Sequence, residues 1–188
     1  MSHFKKQLPQ SNRVIACTIA LMKKYYSVTC VANDEEPSAH NPHPVDMFQH
    51  TSSGRIINYE VKREGRSRQT GNVFLEANGL TAAHACGAER LFMWIDRTGN
   101  YIDVDLGDLI TWLQTQTAYY KANAGDAKKF GYSKANPGWA IPVSVLFECT
   151  PKLDKTVGDP NSPFCKGFAK YFWCEGDETW DAVSKMIR

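Results

Sequence analysis

The apolar positions of the chain change period several times, and each change predicts an element. Val14, Ile15, Thr18, Leu21, Met22 and Tyr25 recur at the spacing of one helical face, with Ser11-Asn12 as N-cap and the helix running to about Tyr26. Its polar side carries Arg13, Lys23 and Lys24, which suits either a packing helix with a solvated edge or contact with a phosphate backbone. Tyr26 to Val31 then reads as a first strand, followed by a loop dense in Pro and polar residues over 33–44. Val45 to Phe48 reads as a short strand, Ser52-Ser53-Gly54 as a turn, and Arg55 to Lys62 as the hairpin partner. Asn72 to Glu76 is another strand, and 82–88 a short helix or tight connection.

Arg90 to Ile95 is nearly continuous apolar sequence, which suits a strand buried on both faces; it turns through 97–100 into Tyr101 to Val104. Asp105, with Asp108 three residues on, opens a helix whose apolar face is Leu106, Leu109, Ile110, Leu113 and Thr117. Tyr119, Tyr120, Lys121, Lys128 and Lys129 lead into a loop ending at Gly138, where aromatic and basic residues are interleaved as in nucleic-acid contacts and in ordinary surface loops alike. Trp139 to Phe147 is the last predicted strand. A Pro-containing linker follows, then an aromatic patch at Phe164, Phe168, Tyr171, Phe172 and Trp173 and a helix from about Asp177. The pattern predicts one α/β domain over 1–188, with its core at about 11–150 and an aromatic and helical extension at 151–188. The aromatic patch either closes the core or forms a homodimer face.

Composition narrows this picture. The 188 residues suffice for one core of ordinary size, and 43% hydrophobic with 12% aromatic residues indicates a folded globule rather than disorder. A formal net charge of +2 excludes a bulk polycation, so any nucleic-acid contact has to be local. The six cysteines, at 17, 30, 86, 149, 165 and 174, include no C-x-x-C pair. With no leader and no apolar run of bilayer length, they read as reduced thiols of a cytoplasmic protein without membrane contact; Cys165 and Cys174 bracket an aromatic segment and could pair in an oxidising compartment. No nucleotide-binding loop is present.

The candidate chemistry lies between Pro44 and Glu76. In a strand, residues two apart share a face, so Glu60 and Lys62 stand together while Val61 faces the other way. A hairpin bringing Asp46 beside them makes a cluster whose two negative charges repel unless a cation or a proton resolves them, the setting for a hard divalent ion. The alternative is a salt bridge on a solvated strand. His40, His43 and His50 flank Asp46 and raise zinc as a second possibility, though Pro42 and Pro44 break any helix that would align the first two. Glu35 or Glu36 could add a further carboxylate.

Pro44-Val45-Asp46 followed by Glu60-Val61-Lys62, then Thr70-Gly71-Asn72-Val73-Phe74-Leu75-Glu76 and Asn136-Pro137-Gly138-Trp139, resembles the PD-(D/E)XK nuclease superfamily, in particular its small phage-type members. The resemblance covers most of 40–147; it departs from the pattern in placing Val45 between Pro44 and Asp46, and in offering no clear acidic residue on the first helix. It implies a restriction-endonuclease-like fold, a mixed central β-sheet flanked by α-helices, acting as a metal-dependent DNA endonuclease in the cytoplasm, the host's if phage-encoded. Asp46, Glu60 and Lys62 would be catalytic, and Asp46, Glu60 and the Val61 carbonyl would hold Mg²⁺, with Mn²⁺ able to substitute. Arg63, Arg66, Arg68 and Asn72 are candidates for contact with DNA, Arg being shaped for phosphate oxygens, and Glu76 for an accessory carboxylate. A homodimer would suit cutting of both strands. The other outcome is an inactive member of the fold that binds nucleic acid or a host protein.

Overall fold

The computed structural model of the chain describes residues 3–64, 70–95, 100–122, 136–148 and 155–157. Helix α1 (His3–Tyr26) starts well before the predicted cap at Ser11-Asn12. It ends where Ser27 takes a left-handed φ of 52°, which turns the chain out of the helix and delays strand β1 to Thr29–Ala32. Strands β2 (Met47–His50) and β3 (Ile56–Glu64) form the predicted hairpin, and Gly54 at its turn has the positive φ, 82°, that glycine adopts without strain. Strand β4 (Asn72–Glu76) runs into helix α2 (Ala77–Ala85), and β5 (Arg90–Ile95) pairs with β6 (Asn100–Asp105). Asp105 caps helix α3 (Leu106–Thr115), its Oδ1 accepting the Asp108 N–H at 2.9 Å.

Two expectations for the later chain are corrected. The segment 139–147 is strand only in its first half: β8 (Gly138–Pro142) gives way to helix α4 (Val143–Glu148), because Pro142 has no N–H to continue a ladder and is well suited to precede a helix. The stretch read as a linker contains a further strand, β9 (Lys155–Val157), on the outer edge of β6. The aromatic patch, the C-terminal helix, Lys128 and Lys129, Arg66 and Arg68, and Cys149, Cys165 and Cys174 lie outside the described residues.

The expected mixed sheet is present, and the strands form a second, smaller sheet beside it. A mixed six-stranded sheet has the order β1-β2-β3-β5-β6-β9, with β3 and β5 parallel and the other pairs antiparallel. A smaller antiparallel sheet of β4, β8 and β7 (Tyr120–Lys121) carries the two segments at 70–76 and 136–142.

Strand alternation divides the core into two layers. On one face of the large sheet, Met47, Tyr59, Phe92, Trp94 and Tyr101 pack against Val14, Cys17 and Leu21 of α1. Trp94 Nε1 donates to Thr18 Oγ1 at 2.9 Å, and that hydroxyl donates to the Val14 carbonyl, so no polar atom of the buried pair is left unmet. On the other face, Leu91, Met93, Ile95, Ile102 and Val104 meet Leu80 of α2, Leu106, Leu109 and Leu113 of α3, and Val73, Leu75 and Ile141 of the small sheet. β5 contributes to both layers, which is why its sequence is apolar without alternation.

Candidate active site

Glu60 and Lys62 belong to the face of β3 that looks toward the small sheet, in register with Leu91 and Met93 of β5, while Tyr59 and Val61 face α1. An acid on that inner face needs a partner. Lys62 supplies it, with Nζ 2.5 Å from Glu60 Oε1; the acid is the deeper of the two, its side chain 15% exposed against 37% for the lysine. The strand spacing that put these residues on one face in the sequence thus produces an ion pair with the ammonium at the mouth.

Asp46 reaches this pair from just outside β2. Its main-chain N–H donates to the Tyr59 carbonyl at 2.9 Å, extending the β2–β3 ladder by one bond. Its carbonyl leaves the ladder and accepts from the Asn33 N–H at 2.9 Å, while Asn33 Nδ2 donates to the Val45 carbonyl at 2.9 Å. The carboxylate takes over where the strand stops, Oδ2 accepting the Val61 N–H at 2.7 Å. Because N–H and C=O of one strand residue point to the same side, the Val61 carbonyl faces that edge too.

The Asp46 carboxyl is pushed up from 3.8 to about 7, first by burial and then by the negative charge of Glu60, against the opposing pull of the Val61 N–H and the Lys62 ammonium. Around neutral pH the Asp46 carboxyl is therefore near the midpoint of its titration, and a cation placed beside it would favour its charged form. Among the described residues no three of His, Cys, Asp and Glu come together in a metal-holding group, so His40, His43 and His50 assemble no such centre. Two carboxylates and a main-chain carbonyl are oxygen donors of the kind Mg²⁺ takes while keeping several of its waters, and on that chemistry the residues fit the ion.

The remaining candidates lie elsewhere. Arg63 is a β3 residue in register with Trp94, on the α1 face and therefore opposite Glu60 and Lys62. Asn72 is engaged locally, its Nδ2 donating to the Thr70 carbonyl at 3.1 Å. Glu76 ends β4 in the small sheet and accepts from Asn136 Nδ2 at 2.7 Å; among the described residues no hydrogen bond or ion pair ties it to Asp46 or Glu60. Thr81 Oγ1 donates to the Ala77 carbonyl and His84 Nδ1 meets the Ala88 carbonyl, so both serve helix α2 and its exit.

Two features had little signal in the sequence. Asn33 sits in a loop of many polar residues, and nothing there marks it as the group that fixes the backbone on both sides of Asp46. On the α1 face, Arg90 Nε donates to the buried Asp103 at 2.7 Å, and the Tyr59 hydroxyl lies 2.9 Å from Gln49 Oε1 and 3.4 Å from Asp103 Oδ2. Only the pairing of β5 with β6 brings Arg90 and Asp103 together. Among the described residues no helix is long and apolar enough to cross a membrane. No protein-family model, curated protein or solved structure matches the chain.

Proposed function

We propose that the chain is a metal-dependent endonuclease with a restriction-endonuclease-like fold, hydrolysing phosphodiester bonds of DNA at Asp46, Glu60 and Lys62. The observation that carries this reading is the convergence of the three side chains. Asp46 lies outside the strand that bears the other two, yet its carboxyl is lifted by the charge of Glu60 and lowered by that of Lys62. A mixed sheet flanked by helices is compatible with the fold.

Asp46 and Glu60, with the Val61 carbonyl, would hold Mg²⁺, or Mn²⁺ in its place. When bound, such an ion polarises a phosphoryl oxygen and acidifies water enough to attack phosphorus near neutral pH. The protein's own contributions are positional and electrostatic. The Val61 N–H pins Asp46 Oδ2, which leaves Oδ1 for the ion. Lys62, at the mouth, places a positive charge where negative charge grows on the phosphoryl oxygens as the P–O bond to the leaving nucleoside breaks.

The test is cleavage of labelled single-stranded, duplex and branched DNA, and of matching RNA, in Mg²⁺, Mn²⁺ or EDTA. Cleavage should require metal and should fall by at least about 100-fold in Asp46→Ala and in Lys62→Ala, the scale of losing one electrostatic group at a reacting phosphate. Failure to cut any substrate in either metal would remove the catalytic assignment. Cutting of RNA alone would replace the substrate.

A further inference from the structure

Lys62 is both the proposed catalytic cation and the partner that neutralises Glu60, and it cannot serve both roles at once. Its Nζ lies 2.5 Å from Glu60 Oε1, on one of the oxygens a metal would approach. The neighbours of this pair in the adjoining strand, Leu91 and Met93, are apolar and give the ammonium no second acceptor. The charge of Glu60 also acts on Asp46, itself held by the Val61 N–H, while Glu64, two residues past Lys62 on the same face of β3, accepts the Phe74 N–H on Oε2 at 3.4 Å.

We propose that Lys62 is the resident counter-cation of the acid pair: it occupies Glu60 in the metal-free protein and is displaced when a divalent ion binds, which releases it toward substrate only in the loaded site. The inference rests on the nuclease reading for the identity of the ion and for what Lys62 does once released. A divalent ion and an ammonium sharing one carboxylate repel strongly at such short range, so the lysine competes with metal from within the chain. The lysine's greater exposure gives it room to swing outward, whereas Glu60 is fixed on the inner face. Loading order follows from the geometry: before metal arrives the pair offers phosphate little net charge, and afterwards both the ion and a free ammonium face it.

The test is calorimetric titration of Mn²⁺ into the full chain as wild type, Lys62→Met and Lys62→Arg. Removing the internal competitor should tighten Mn²⁺ binding by about tenfold in Lys62→Met, the scale of one short-range charge interaction near a protein surface. Lys62→Arg, which keeps the charge, should stay near wild type. A second measurement uses the wild type alone, so it survives any folding defect: amine acylation read by mass spectrometry, with exposed Lys23 and Lys24 as internal references. Mn²⁺ should raise labelling of Lys62 relative to those two. Equal or weaker Mn²⁺ binding by Lys62→Met, or labelling indifferent to metal, overturns the displacement and leaves the nuclease reading standing. No Mn²⁺ binding by any variant overturns both.

Discussion

Replacing Asp46 by Asn should stabilise the metal-free protein, and by an amount that grows with pH. The side chains are nearly isosteric, and an amide oxygen can accept the Val61 N–H in place of Oδ2, so the substitution removes the charge and keeps the bond. The wild-type carboxyl titrates at about 7 in the folded chain against an ordinary 3.8. Across that interval the folded protein holds a proton the unfolded chain has released. Stability from this group is therefore full below about 4 and is lost as pH rises through about 7. Between pH 5 and pH 8 the linkage relation assigns Asp46 a loss of about 2.5 kcal/mol, an upper figure because partial solvent access softens it. Urea unfolding of wild type and Asp46→Asn in EDTA at the two pH values measures this directly, since titrations shared by both proteins cancel in the difference. A stability gap that is the same at pH 5 and pH 8 would refute the argument, because it would mean that Asp46 is ionised in the folded protein throughout.

Two further substitutions probe the frame around the site. Gly138→Ala should destabilise by about 2–4 kcal/mol in denaturant unfolding, because a Cβ there would stand 2.4 Å from the Leu75 carbonyl oxygen and 2.8 Å from the Phe74 ring, where β4 and β8 run against each other. Asp103→Asn should cost about 3 kcal/mol by leaving the Arg90 guanidinium without its anion in a nearly buried setting, whereas Tyr59→Phe, which takes only a hydroxyl from the same group, should cost about 1 kcal/mol; equal losses would show that the tyrosine hydroxyl rather than the ion pair holds this corner.

Periodicity and turn chemistry carried much of the local structure. Strands at Asn72–Glu76 and Arg90–Ile95 follow their predicted bounds, and Asp105 caps the helix it was expected to open. Periodicity does not report partners, and the misplacements arise there. The strand at 138–142 was legible, but its pairing with β4 in a separate sheet depends on a close approach that only Gly138 permits. In the same way E-V-K predicts which residues share a face, and so Glu60 with Lys62. It also puts Arg63 on the opposite face once β3 is known to run to Glu64, although the sequence reading had ended that strand at Lys62. The Asp46 approach was legible only as a hairpin; Asn33, which anchors its backbone, lies 13 residues upstream.

The choice of residue at 46 argues for a use beyond folding. Structurally, the position asks for a short side-chain acceptor that can meet the Val61 N–H where β2 has not yet begun, and asparagine would serve without charge. Aspartate there sets a second carboxylate against Glu60 at a half-buried position, and its raised titration point reflects what that arrangement takes from stability near neutral pH. Structural ion pairs lower that cost by giving each acid its own cation, as Asp103 has Arg90 on the other face of the same sheet. Here two acids converge on one lysine, which already sits on Glu60. Groups held in an unfavourable protonation balance persist where the chemistry of a site uses the imbalance. A cation from solution would relieve it, and the acid pair supports a metal-binding role on that ground, independently of any resemblance to a family.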